Sequence, residues 1–269
     1  MLPKPSPDPK SSMWAWLAHD LRLYRTQRGL SGDAVAKLIN CARSSISRLE
    51  NGEAKLDEGQ AAALDERWRT GGHFGTMLWY ARLGHDPNWF KQHVGLESEA
   101  SVIKVYEASV IPGLLQLPEY AHELLTAGGE PNVEELVAER MARQAILERD
   151  PPPLILVLLS ENVLHWNIGG SELMRKQLAH ILEMSQRTNI GLRIIPRSAG
   201  AHPGLDGSFK IMTGAGGDVA FTESPGGGRL VPSTTEVRSY VTRYDRIGQK
   251  ALPEDQSREL IIQIVEAMG

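Results

Sequence analysis

Apolar residues recur at helical spacing through the first seventy positions and gather into strand-length runs after residue 150. Leu17, Leu21 and Tyr24 mark the inner side of a helix from about Met13 to Arg28, and Gly29 ends it. Ser31 is placed to cap a second helix, in which Ala34, Val35, Leu38 and Ile39 form one buried stripe. Asn40, Cys41 and Ala42 make a turn, and a third helix runs from about Arg43 to Asn51. Gly52 stands where a left-handed cap is wanted. In the third helix Ile46 and Leu49 point one way, while Arg43, Ser44, Ser47 and Arg48 share the opposite face. Leu56 to Thr70 reads as a further helix with Ala61, Leu64 and Trp68 inward.

Past residue 100 the pattern changes. Residues 111–116 form a turn leading into a helix at about Pro118 to Ala127. Asn132 and Glu135 resemble a capping box for the next helix, which turns Leu136, Val137, Met141 and Ile146 inward and Arg140 and Arg143 outward. Pro151, Pro152 and Pro153 stop it. Leu154 to Leu159 is a continuous apolar run, the mark of a strand covered on both faces. A helix from Ser171 to about Arg187 and a strand from Ile190 to Ile195 complete a strand–helix–strand unit with a parallel pair. Further strands are expected at Phe209–Thr213, Val219–Glu223 and Arg229–Val231. Ser233 and Glu236 form a capping box for a helix reaching Ile247. A last helix, about Pro253 to Met268, lines up Leu260, Ile261, Ile264, Val265 and Met268, either as core or as a dimer seam.

These elements divide the chain into a disordered tail (1–12), an all-α domain (13–70), a helical connector (71–99) and an α/β regulatory domain (100–269). The fold class is therefore α+β and multidomain. At 269 residues the chain is long for a single core, and no apolar run approaches the roughly 20 residues that span a bilayer. A single cysteine excludes an internal disulfide and fits a cytoplasmic protein. The net charge of −4 argues against an indiscriminate nucleic-acid binder. Residues 13–70 carry nine Lys/Arg against eight Asp/Glu, so cations there are arranged rather than abundant.

The face of Arg43, Ser44, Ser47 and Arg48 has the chemistry of major-groove readout. Guanidiniums reach guanine O6 and N7 or a phosphate, and hydroxyls serve several base edges. On periodicity alone an ordinary helical hairpin with a solvated face stays equally open. The run Gly29-Leu30-Ser31, Ala36 and Ser45-Ile46-Ser47-Arg48-Leu49-Glu50-Asn51-Gly52 resembles the Xre family of phage-repressor-like helix-turn-helix domains. The resemblance implies five helices, a recognition helix carrying Arg43 to Arg48, phosphate contacts by Asn51 and Lys55, and an ion pair between Arg25 and Glu50. Gly32 departs from the Gln or Thr common at that place, which removes a frequent DNA contact.

In the C-terminal domain, Glu161, His202, Asp206, Phe209 and Glu223 are candidates for a ligand or partner pocket, since loops after strands often line one. An acid–base site using His202 and a carboxylate is conceivable, but no nucleophile elbow, phosphate loop or dinucleotide fingerprint is present, and the expectation is no catalytic residue, cofactor or metal. The histidines of 73–93 lack ligand spacing. Ile111-Pro-Gly-Leu-Leu-Gln116, Arg140-x-x-Arg143-Gln144, Ala199-Gly-Ala-His-Pro-Gly204 and Asp206-Gly-Ser-Phe209 look like an actinobacterial, antitoxin-like C-terminal domain fused behind Xre-type domains. This implies a regulator with double-stranded DNA as partner, a homodimer, and a small protein encoded nearby or a small-molecule effector sensed by the second domain. The alternative is an interaction module that sequesters the small protein and uses DNA binding for autoregulation.

Overall fold

A computed structural model describes residues 7–83, 89–224, 227–231 and 234–268. The chain divides into two compact units, residues 1–89 and 90–269.

The first unit is all helical: α1 Met13–Gln27, α2 Gly32–Leu38, α3 Arg43–Glu50, α4 Glu58–Trp68 and α5 His73–Leu83. Side chains close the helix starts. Ser12 accepts from the Ala15 N–H, Ser31 from the Ala34 N–H, and Asp57 exchanges bonds with Gln60 in a capping box. Gly52 has φ +71°, the left-handed geometry that ends α3. The core gathers Leu17, Leu21, Val35, Ile39, Ile46, Leu49, Ala61, Leu64 and Trp68, each at most 7% exposed. Full burial of one such aliphatic contributes about 1.5–3 kcal/mol.

Residues 71–99, read from the sequence as one connector, contain two helices with different attachments. Phe74, Met77, Leu78 and Ala81 of α5 lie in the core of the first unit. Asp65 holds the start of α5 by accepting from the Phe74 and Gly75 N–H groups at 2.8 and 2.7 Å. His73 bonds the buried Asp20 at 2.8 Å. The second helix, α6 Trp89–Glu99, falls almost wholly in the C-terminal unit.

That unit continues with β1 Val102–Glu107, a 3-10 turn Gly113–Leu115, α7 Pro118–Ala127, α8 Val133–Ala142, a 3-10 turn Arg143–Glu148 and β2 Leu154–Ser160. There follow α9 Glu161–His165, α10 Ser171–Met184, β3 Ile190–Ile195, and two short 3-10 turns at Arg197–Ala199 and Pro203–Asp206. The hairpins of β4 Phe209–Gly214, β5 Gly217–Ser224 and β6 Gly227–Val231 precede α11 Thr234–Gly248 and α12 Glu254–Ala267. The strands form one mixed sheet in the order β3-β2-β1-β4-β5-β6. β1, β2 and β3 are parallel, and β4 pairs antiparallel with both β1 and β5.

β1, which sequence reasoning passed over, is a central strand. Its alternation is short and ends in Tyr106 and Glu107, both buried, so no period-2 signal survives. On one sheet face α11 covers a core of Tyr106, Leu158, Ile195, Phe209, Ile211, Ala220 and Val231. The edge of β3 is blunted by the next segment. The Leu252 N–H donates to the Ile194 carbonyl at 2.8 Å, and the Ile194 N–H donates to the Ser257 hydroxyl at 2.9 Å. In the stripe of α12, Ile261 and Ile264 are buried, while Leu260, Val265 and Met268 are half-buried.

Two local expectations fail. Asn132 precedes α8 without a side-chain cap, and α8 buries none of its residues. Arg140 and Arg143 do not face out, because acceptors on the inner side hold both. Arg140 donates to the Gln116 side chain at 3.0 Å, and Arg143 donates to the buried Glu97 carboxylate at 2.9 Å. The capping box expected at Ser233 lies outside the described residues.

Candidate functional site

Helix α3 presents Arg43, Ser44, Ser47 and Arg48 to solvent and buries Ile46, Leu49 and Glu50. Arg43 is 77% exposed and lies 3.7 Å from Asp33, itself 57% exposed, a pair worth little. Beneath α3 an ionic hub ties it to α1. Arg25 donates to the two Glu50 oxygens at 2.5 and 2.9 Å, and its third donor reaches the Leu30 carbonyl at 3.0 Å. Such fork geometry fixes orientation as well as distance. Arg22 adds a longer contact to Glu50 at 3.5 Å and donates to the Asn51 side-chain oxygen at 2.7 Å. Lys55 lies 4.7 Å from the centre of the Trp14 ring, a cation–π distance. Arg22 belongs to the basic cluster of the motif, but its bonds to Glu50 and Asn51 were not read from the sequence, where its signal is a place three residues from Arg25 on one helix face; Trp14 carried no such signal.

All five C-terminal candidates sit at the end of the sheet where β1, β2 and β3 finish, and each has contacts of its own. Glu161 accepts from the Arg197 N–H at 2.7 Å and so pins the loop after β3. His202 uses Nδ1 to accept from the Gly204 N–H at 3.1 Å, capping its own turn. Burial, helped by Lys250, lowers the His202 pKa and favours the neutral ring. Asp206 pairs with Arg243, which also donates to the Pro203 carbonyl at 3.0 Å. Phe209 is 4% exposed and packs among Tyr106 and Tyr240. The register Phe209↔Thr222 places Glu223 on the opposite sheet face from Phe209. Among the described residues no hydrogen bond joins His202 to Glu161, Asp206 or Glu223.

Two brackets converge instead on the end of β1. The first is polar: Gln116 donates to the Ile111 carbonyl at 2.6 Å, and Gln144 donates to the carbonyls of Gly113 and Gln116 at 3.2 and 2.7 Å. The second is steric: a Cβ on Gly204 would lie 2.4 Å from the Tyr106 ring. Between them Glu107 is 8% exposed, and among the described residues its Oε2 finds no hydrogen-bond partner. Burial first, then Glu223, pushes the Glu107 carboxyl up to about 8, while Ser208 and Lys210 act the other way. Farther along the same face Glu97 is 1% exposed between Arg143 and Lys210, the latter at 2.5 Å. Those two cations outweigh the burial penalty and hold the Glu97 carboxyl at about 2. Among the described residues no group of three or more His, Cys, Asp or Glu could hold a metal, and no helix is long and apolar enough to cross a membrane.

Two short helices set at a tight turn, the second with a polar outer face, define the first unit as a helix-turn-helix domain, and residues 16–73 match the model of a family described as "Helix-turn-helix domain". Residues 90–263 match the model described as "Domain of unknown function (DUF5753)", which spans more than half of the chain, and the chain belongs to that family. No curated protein and no solved structure matches it.

Proposed function

We propose that this protein is a transcriptional regulator of the Xre type that binds a pseudo-palindromic operator in double-stranded DNA as a homodimer. Arg43, Ser44, Ser47 and Arg48 read base edges from the major groove. Lys55 and Asn51 hold phosphates, Asn51 through its amide NH2, since its oxygen is engaged by Arg22. The C-terminal domain senses an effector and is not an enzyme.

The observation that carries this reading is the solvent-facing Arg and Ser face of α3 above the Arg25–Glu50 hub. The planar guanidinium fork is pre-organised, so less rotamer entropy is lost per hydrogen bond to a base edge than with a flexible ammonium. A single domain of this size covers few base pairs, so two half-sites about one helical turn apart supply the specificity.

The test is a footprint on the DNA upstream of the gene at fixed salt, with wild type and Arg43→Ala/Arg48→Ala. The expected result is a protected pseudo-palindrome that the double variant loses. Absence of protection in the wild type would remove the regulator reading and favour the antitoxin-like alternative.

A further inference from the structure

A groove in the C-terminal unit runs between α6 and the stretch formed by α8 and the 3-10 turn after it. Its volume is about 580 Å³, within the range of pockets that take small organic molecules. Of its apolar lining, Val94 and Ile146 are half-buried and Ala142 and Ala145 are exposed. Val94 forms one wall, and Ala142, Ala145 and Ile146 form the other.

The charges in the groove are unequal in availability. Arg143 and Lys210 both bond the buried Glu97 carboxylate, so the Arg143 guanidinium is turned toward Glu97 within a set of two cations and one anion. Glu139 stands exposed in the lining, and its carboxylate makes no hydrogen bond or ion pair among the described residues. The exposed charged group in the lining is therefore the Glu139 carboxylate, beside a mainly apolar channel that also carries Ser98.

We propose that this groove is the effector site of the C-terminal domain, and that it takes a small amphipathic molecule with an apolar body and one cationic amine. The body lies against Val94, Ala142, Ala145 and Ile146, and the amine meets the Glu139 carboxylate. The assignment rests on the reading of the chain as an effector-sensing regulator.

The experiment uses the full chain and two matched fluorescent probes, dansylcadaverine, which carries an amine, and dansyl-aminohexanoate, which carries a carboxylate. Wild type is expected to bind the amine with a Kd at least about fivefold below that of the acid, the scale of a partly solvated ion pair plus repulsion of the acid. Glu139→Gln should erase that preference and leave the acid nearly unchanged. Ala142→Trp, at an exposed position, should fill the groove and abolish binding of both while the circular dichroism spectrum is kept. Failure to bind either probe, equal binding of both, or binding that survives Ala142→Trp would overturn the proposal. A change of oligomeric mass in Ala142→Trp would assign the groove to a second copy and overturn it likewise. The upstream-DNA footprint, run on wild type and Ala142→Trp without probe, separates the two readings. Protection without probe binding removes the groove alone, and probe binding without protection removes the regulator alone.

Discussion

Glu50 is 5% exposed and holds Arg25 through two of its three bonded donors. Glu50→Ala strands a partly buried guanidinium, which costs about 3 kcal/mol, more than the pair contributes. Urea unfolding followed by the fluorescence of the first unit is expected to show that loss, whereas replacing Arg25 and Glu50 together by apolar residues of similar volume should cost clearly less. Arg48→Ala faces solvent and leaves folding alone; it should weaken specific DNA binding by about 1–3 kcal/mol. An equal loss on random DNA would reassign Arg48 to a phosphate. Two buried carboxylates in the other unit act with opposite sign. Glu97, held at about 2, contributes stability that is present above pH 4.5 and is lost as pH falls toward 2. Glu107, pushed up to about 8, keeps a proton in the folded state that the unfolded chain releases near 4.5. Its burial therefore costs progressively more as pH rises from about 4.5 to 8. Glu107→Gln should be more stable than wild type at pH 8, with the gap closing toward pH 4.5 in denaturant titrations.

Elements with a long apolar period were legible in the sequence, and so was their order. The α2–turn–α3 motif, α7, α10, β2 and β3 show the 3.6 spacing or the apolar runs in sequence, because apolar residues make up most of what each buries, although α3 also buries Glu50 and α10 buries Gln177. Where polar side chains do the holding, legibility ends. β1 closes on Tyr106 and Glu107, and α8 depends on guanidiniums reaching inward, so neither shows a clean apolar stripe. The motif residues Gln116, Arg140, Gln144 and His202 stood out as a pattern, yet their task is to clamp backbone carbonyls and turns. A Gly204→Ala change tests the steric bracket. A methyl 2.4 Å from the Tyr106 ring must displace a side chain that is 1% exposed in the core. The expected cost is about 1–3 kcal/mol, read in the unfolding of the C-terminal unit.

For the molecule as a whole, a net charge of −4 leaves specific contacts to do most of the binding. The salt dependence then reports stoichiometry. Each phosphate contact adds about 1 to the slope of log K against log salt, so Lys55→Ala should flatten the slope by about 2 in a dimer and about 1 in a monomer. A change near zero would remove Lys55 from the phosphate contacts.

The place of β1 in the sheet also sets a timetable during synthesis. β1 ends at residue 107, its parallel neighbour at 160, and its antiparallel neighbour only at 214. At roughly 5–20 residues per second the ribosome takes about 5–20 s to deliver the second flank. The five helices of the first unit are built from near neighbours in sequence and can close long before that. A nascent chain thus displays a finished DNA-reading head while the core strand of its C-terminal domain still has a bare edge, a window in which a chaperone has a defined strand to cover.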